Sequence, residues 1–252
     1  MGWLKNWRRR RLLAHHRIDE ELWRSVTQPL PFLRGLRRDE LERLRALALL
    51  LLVEKEFSGA HGLQLDDAMR LSIAVQAALP VLHLGLDRYD EWSEIVVYPG
   101  EFRVRVKETD EGGVVHEFDD ERAGESWQGG PVVLSWDAAA HAPDMNVVIH
   151  EFAHKLDMAN GAADGLPPLH SGMDRRAWTA AFRIAYEGFC DAVDRGRDTW
   201  LDPYAAQHAS EFFAVLSEKF FTDGAETRRR YPDVYEQLKR YYRQDPATRN
   251  ST

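Results

Sequence analysis

Residues 150 to 154 read His-Glu-Phe-Ala-His, two imidazoles four residues apart with a carboxylate between them. On an α-helix, residues four apart lie one turn above each other on one face, so both rings can reach a single ion. Glu151 stands about 100° round the helix, where it can reach water on that ion without binding the ion itself. This HExxH spacing suits a zinc site with the glutamate as general base. The five letters alone would arise in roughly 3 of 100 shuffled chains of this composition. Two locally hydrogen-bonded helix histidines are therefore the competing reading, and the rest of the ligand set has to separate the two.

A catalytic zinc generally takes three protein ligands and leaves one position to water. The chain has ten histidines but one cysteine, Cys190, which removes thiolate clusters and internal disulfides. Any transition-metal site must be built from imidazole and carboxylate. The extended motif with a third histidine downstream is excluded, because the two positions it needs hold Asp157 and Asn160. Glu211, near the start of an apolar helical run, is the leading third ligand, since an unpaired carboxylate is costly to bury there. The alternative is a first-turn glutamate facing the helix dipole.

Glu218, two turns later, is a second candidate, as ligand or supporting group, and His208 a third. No fourth ligand for a closed structural zinc is evident. Asp157 shares the histidine face and either accepts the free N–H of a ligand imidazole or makes a plain salt bridge. Tyr204 precedes Glu211 by seven residues. Its phenol is either structural or a donor to a developing oxyanion. The remaining histidines, with Arg103 and Arg105, show no spacing that suggests a site.

The elements that must hold these residues follow from periodicity. Asp39 to Phe57 and Leu65 to Leu79 carry apolar residues at helical steps, the first closed by Ser58-Gly59 and the second by Pro80. Strands are expected at 94–98, 102–107, 114–118 and 131–136, with Asp110 to Gly113 as a hairpin turn. The 131–136 strand is a candidate for pairing with an extended substrate. Helical spacing returns at 145–158, 178–193, 210–221 and 232–242. Strands in the middle with helices before and after predict an α+β fold: a small mixed sheet, the HExxH helix, and flanking N- and C-terminal helices. The loop 160–174, with three glycines and two prolines, reads as either a gate or a passive connection.

With 44% hydrophobic residues in 252, the chain can bury one full-sized core. No repeat or linker divides it. One domain over 1–252 is expected, with a basic helical portion at 1–60 and a catalytic core at 61–245. The longest apolar run, Ala46 to Val53, falls short of the roughly 20 residues that span a bilayer, and no secretory pattern follows the basic start. A cytoplasmic location is the expectation. Net charge is -8, unevenly placed: residues 1–45 hold 12 Lys and Arg against 6 Asp and Glu, so the head is +6 and the body -14. Arg8 to Arg11 beside Trp3 and Trp7 can be read as a nucleic-acid or membrane contact, and more plainly as a solvated helix face. Because an acidic body repels phosphates, no direct nucleic-acid partner is expected, and with no run long enough to span a bilayer no membrane partner is expected either.

Beyond the five-letter motif, Ile95 to Pro99, Gly124-Glu125-Ser126-Trp127, Gly130 to Trp136, Asn146 to Asp157 and Glu211 to Glu218 resemble the Mlc titration factor A family, cytoplasmic bacterial zinc peptidases related to the catalytic domain of anthrax lethal factor. The likeness runs from the Leu-rich helix near residue 40 to about residue 242. It implies a zincin-like metallopeptidase fold with one Zn2+ per chain held by His150, His154 and Glu211. It also implies Glu151 as general base and Tyr204 as a catalytic residue. The expected activity is aminopeptidase-like hydrolysis of a peptide substrate, and the expected partner a glucose-responsive transcription repressor. The alternative is a regulatory repressor-binding protein whose peptidase activity is weak or latent.

Overall fold

The computed structural model describes residues 2–109, 115–141 and 145–249. The chain begins with α1 (Gly2–His15), α2 (Glu20–Thr27) and α3 (Arg38–Glu54). Asp19 starts α2 by accepting from the Glu21 and Leu22 amides, two of the orphan donors of a helix N-terminus. β1 (Glu56–Gly59) and α4 (Asp67–Ala78) follow, the latter capped by Asp66 on the Met69 amide. Then come β2 (Glu94–Tyr98), β3 (Phe102–Thr109), β4 (Val115–Arg122), β5 (Gly124–Ser126) and β6 (Val132–Ser135). The rest is helical: α5 (Trp136–His141), α6 (Val147–Asp157), α7 (Arg175–Asp194), α8 (Ala209–Thr222), α9 (Gly224–Arg230) and α10 (Pro232–Tyr242).

The mixed α+β character expected from the sequence is what the structure has. One four-stranded sheet runs β1-β2-β6-β5, with β1, β2 and β6 parallel and β5 antiparallel to β6. Ile95 and Val97 of β2 and Val132 and Leu134 of β6 are fully buried, in the same core cluster as the apolar side of α6. β3 and β4 form a separate antiparallel ladder, Phe102 opposite Arg122 and Thr109 opposite Val115. The expected turn at 110–113 lies outside the described residues.

Two expectations need correction. Phe57, read as the end of a helix, is the second residue of β1, because the Glu56 amide leaves the helix to bond the Ser93 carbonyl and begin the ladder with β2. Local apolar spacing cannot show a partner strand nearly forty residues away. The strand at 131–136 is β6, paired with β2 on one side and β5 on the other, so it has no free edge to offer a substrate. The edge on that side of the sheet is β5, whose three residues are too short to show alternation.

The C-terminal helices close the core with aromatic rings. Trp178 of α7, 1% exposed, stacks on Phe182 at 4.5 Å and meets Phe213 of α8 and Tyr241 of α10. Its indole N–H donates to the Gly165 carbonyl at 3.0 Å. This one side chain links three helices and the loop that follows α6. Trp178→Ala should cost about 3–5 kcal/mol of unfolding free energy in urea titrations, as removal of a large buried aromatic does. A loss under about 1 kcal/mol would show that the loop and α7 are held otherwise.

Candidate metal centre

Asn146 starts α6: its side-chain carbonyl accepts from the Ile149 amide at 2.9 Å, and its NH2 donates to Gln76 of α4 at 2.7 Å. The cap thus fixes both where α6 begins and how it sits on α4. All eleven residues of α6 are buried. Val148, Ile149, Phe152, Ala153 and Leu156 pack into the core, while His150, Glu151, His154, Lys155 and Asp157 are carried in on the same short helix. Each of those five polar groups needs a partner to offset its desolvation.

α8 runs beside α6 and supplies one. His150 Nε2 lies 3.1 Å from Glu211 Oε2, His154 Nε2 lies 3.3 Å from the same oxygen, and the two Nε2 atoms are 3.2 Å apart. Ligands placed tetrahedrally at about 2.0–2.1 Å from zinc stand about 3.3 Å from one another, so this triangle has the size of three ligands of one ion. Two imidazole nitrogens and a carboxylate oxygen are also the donor set zinc accepts. Among the described residues these three are the group that could hold a metal ion. Gly165, with φ +80°, is needed to bring the loop after α6 against α8: a Cβ there would stand 2.8 Å from the Ala209 carbonyl oxygen.

Electrostatics point the same way. Burial alone would lower the His150 pKa, but the hydrogen bond to Glu211 and the charges of Glu151 and Glu211 outweigh it and hold the imidazole well above its ordinary value. Burial would raise Glu211, but the two histidines override that and hold it far below the usual carboxylate range. In the metal-free chain a proton on His150 plays the part of the cation. Both Nδ1 atoms are buried without a hydrogen-bond partner among the described residues, and that of His150 is 3.9 Å from Glu218 Oε2. Glu218, 3% exposed, therefore stands behind the ring and not in the triangle.

The other candidates from the sequence fall into place. His208 is the N-cap of α8: its Nδ1 accepts from the Ser210 amide at 3.2 Å and bonds the Ser210 hydroxyl at 2.7 Å. Among the described residues Asp157 makes neither the imidazole contact nor the salt bridge expected of it. Its Oδ2 accepts the Gly165 amide at 2.7 Å and so ties down the loop after α6. Burial pushes its carboxyl up to about 6. That loop is also held through His170 Nε2 on the Tyr241 carbonyl at 2.8 Å.

Glu151 is 4% exposed, and burial pushes its pKa up. β5 presses against it: a Cβ on Gly124 would sit 2.4 Å from Glu151 Oε1, so only glycine lets strand and carboxylate approach this closely. The Ser126 hydroxyl donates to the Glu151 carbonyl at 3.0 Å. Tyr204, on the short turn Pro203–Ala206, has its ring 6.5 Å from that of His150, and its amide bonds Asp202 Oδ1 at 2.9 Å. A cavity of about 520 Å³ runs from Gly124, His150 and Glu151 to Tyr204, Trp200 and Val215, with Glu101 and Glu218 on its wall. A smaller one, about 120 Å³, holds His154, Glu211, Glu125 and Ala163 and shares Tyr204 and Glu151.

Single-residue spacing gave no hint of Gly124, Ser126 or Lys155. Lys155 Nζ donates to the Trp127 and Gly130 carbonyls at 2.6 and 2.8 Å, which fixes the turn between β5 and β6. Burial lowers its pKa to about 8. The only signal for these positions lay in the short stretches that resemble a known family.

Comparison with known proteins agrees with this geometry. Residues 4–243 match the family described as glucose-regulated metallo-peptidase M90, and the chain belongs to it. It is 38% identical over 226 residues, 87% of this chain and 83% of the relative, to Mlc titration factor A of Yersinia pestis, and equally so to that of Yersinia pseudotuberculosis. An uncharacterized protein of Synechocystis sp. is 36% identical over 251 residues, 97% of this chain and 90% of the relative. No helix among the described residues is long and apolar enough to cross a membrane.

Two outcomes test the centre. His154→Ala or Glu211→Ala should lose stoichiometric zinc, measured by mass spectrometry on protein purified without a metal column, while His208→Ala should keep it. Because His150 of the metal-free chain holds a proton up to about pH 9, zinc affinity should rise with pH until that proton is lost, each ion displacing about one proton. Titration calorimetry in buffers of different ionisation enthalpy reads that number directly.

Proposed function

We propose that the protein is a zincin-like metallopeptidase that removes residues from the amino end of peptides, with zinc held by His150, His154 and Glu211. The observation that carries this reading is the ligand triangle with Glu151 and Tyr204 on the walls of one cleft. Bound zinc supplies a Lewis acid that polarises the scissile carbonyl and eases ionisation of water. Glu151, whose pKa burial holds above the ordinary carboxylate value, takes the proton of the attacking water and passes it to the leaving nitrogen. Tyr204 donates its phenolic hydrogen to the oxyanion that develops on the carbonyl. β5, the sheet edge beside Glu151, offers backbone groups to an extended substrate in place of β6.

Preference for an amino terminus is supported by the carboxylates in the two cavities, Glu101 and Glu218 in one and Glu125 in the other, which suit a cationic end group. The relatives named Mlc titration factor A, with the family described as glucose-regulated, support a regulatory role through binding a sugar-responsive transcription repressor. That name speaks of titration and not of cleavage, which favours a second reading: a repressor-binding protein whose peptidase activity is weak or latent.

Glu151→Gln should keep zinc yet lower turnover of an aminoacyl reporter by at least about a hundredfold. Tyr204→Phe should keep zinc and lower kcat by about 10²–10³. Parent-level turnover in Glu151→Gln would refute the assignment of the base. Capture of a repressor by Glu151→Gln as efficiently as by the parent would place binding apart from catalysis.

A further inference from the structure

α1 has two unlike sides. At about 100° per residue, Lys5, Arg9 and Leu12 share one side, and Trp3, Trp7 and Arg11 form a stripe on the other, with Leu4 beside it and Arg8 and Arg10 on its flanks. The first side is fastened to the body. Arg9, 8% exposed, reaches Glu54 through Nε and Nη2, both at 2.8 Å, and Asp87 through Nη1. Lys5 pairs with Asp90, and Leu12 and Leu13 pack on the core. The attitude of the helix is set by these contacts.

The outward side has no such partners. Trp3, Leu4 and Trp7, 76%, 67% and 54% exposed, are three of the four most exposed large apolar side chains among the described residues, and all lie on this one helix. Arg8, Arg10 and Arg11 are exposed, and none has a carboxylate at ion-pair distance among the described residues. The Arg11 guanidinium lies 5.6 Å above the Trp7 ring. A fixed helix that shows an aromatic stripe between unpaired arginines has the composition of a segment lying in a membrane interface, where indole rings settle at the headgroup level and guanidinium groups meet phosphate.

We propose that this face of α1 docks on an anionic phospholipid surface, with Trp3, Leu4 and Trp7 entering the headgroup layer and Arg8, Arg10 and Arg11 pairing with lipid phosphates. The contact is peripheral. The exposed apolar and basic side chains share the outward side of one helix, which suits a plane, whereas a nucleic-acid strand following the protein would meet the body, whose net charge is -14 from the residue counts above. Leu4, which has no ring to stack on a base, also favours lipid.

The test is flotation of the full chain with phosphatidylcholine vesicles, with and without phosphatidylglycerol. Binding should require phosphatidylglycerol, fall with added salt, and shift the tryptophan emission to the blue. Trp3→Ala/Trp7→Ala and Arg8→Glu/Arg10→Glu/Arg11→Glu should each weaken it at least about tenfold, with thermal unfolding unchanged because all five side chains are exposed. Failure of the parent to float with anionic vesicles would overturn the proposal. So would equal flotation by the arginine variant, or loss of vesicle binding to competing single-stranded RNA that the parent retains on a filter.

Discussion

A helix of eleven residues with no exposed face carries two histidines, a glutamate, a lysine and an aspartate into the core. Each of these groups, if left alone, would cost more to bury than several apolar neighbours return. Much of the surrounding architecture can be understood as the set of partners that makes this burial tolerable. α8 brings Glu211 to both imidazoles, the turn before β6 brings two carbonyls to Lys155, and the loop after α6 brings the Gly165 amide to Asp157.

The same partners make the site specific. Because Glu211 is already held between His150 and His154, little rearrangement would be required for the three to hold the proposed ion, and the entropy of ordering them is met by folding. Lys155 and Glu151 are neighbours on one helix, so the contact that fixes the turn between β5 and β6 also sets the distance of β5 from the carboxylate. Gly124 is the point where this matters most, since any side chain would push strand or carboxylate aside. Trp178 acts from the other side, joining the Gly165 carbonyl to the aromatic cluster of α7, α8 and α10.

Most helices were legible in the sequence, because their apolar spacing is a local property: α4, α6, α7, α8 and α10 fall within a few residues of their expected spans. β1 was not, since its pairing with β2 competes with helical continuation and the partner is remote. α5 and α9, at six and seven residues, are too short to show a period. In the site, the spacing of His150 and His154 placed both on one face without any structure. Asp157 sat on that face too, yet a face shared in sequence did not decide its contact. The Gly165 amide lay closer than either ring.

The sequence by itself settled the chemistry available: one cysteine left only nitrogen and oxygen donors, the HExxH spacing put two imidazoles on one helix turn, and a family likeness reached well beyond those five residues. Tertiary structure decided which carboxylate of α8 meets the histidines, with Glu211 in the triangle and Glu218 behind the ring, and which strand forms the edge beside Glu151. The physical reason is range. Helical period and donor type are fixed by neighbouring residues, whereas an approach between groups 57 and 61 positions apart depends on how every side chain between the two helices packs.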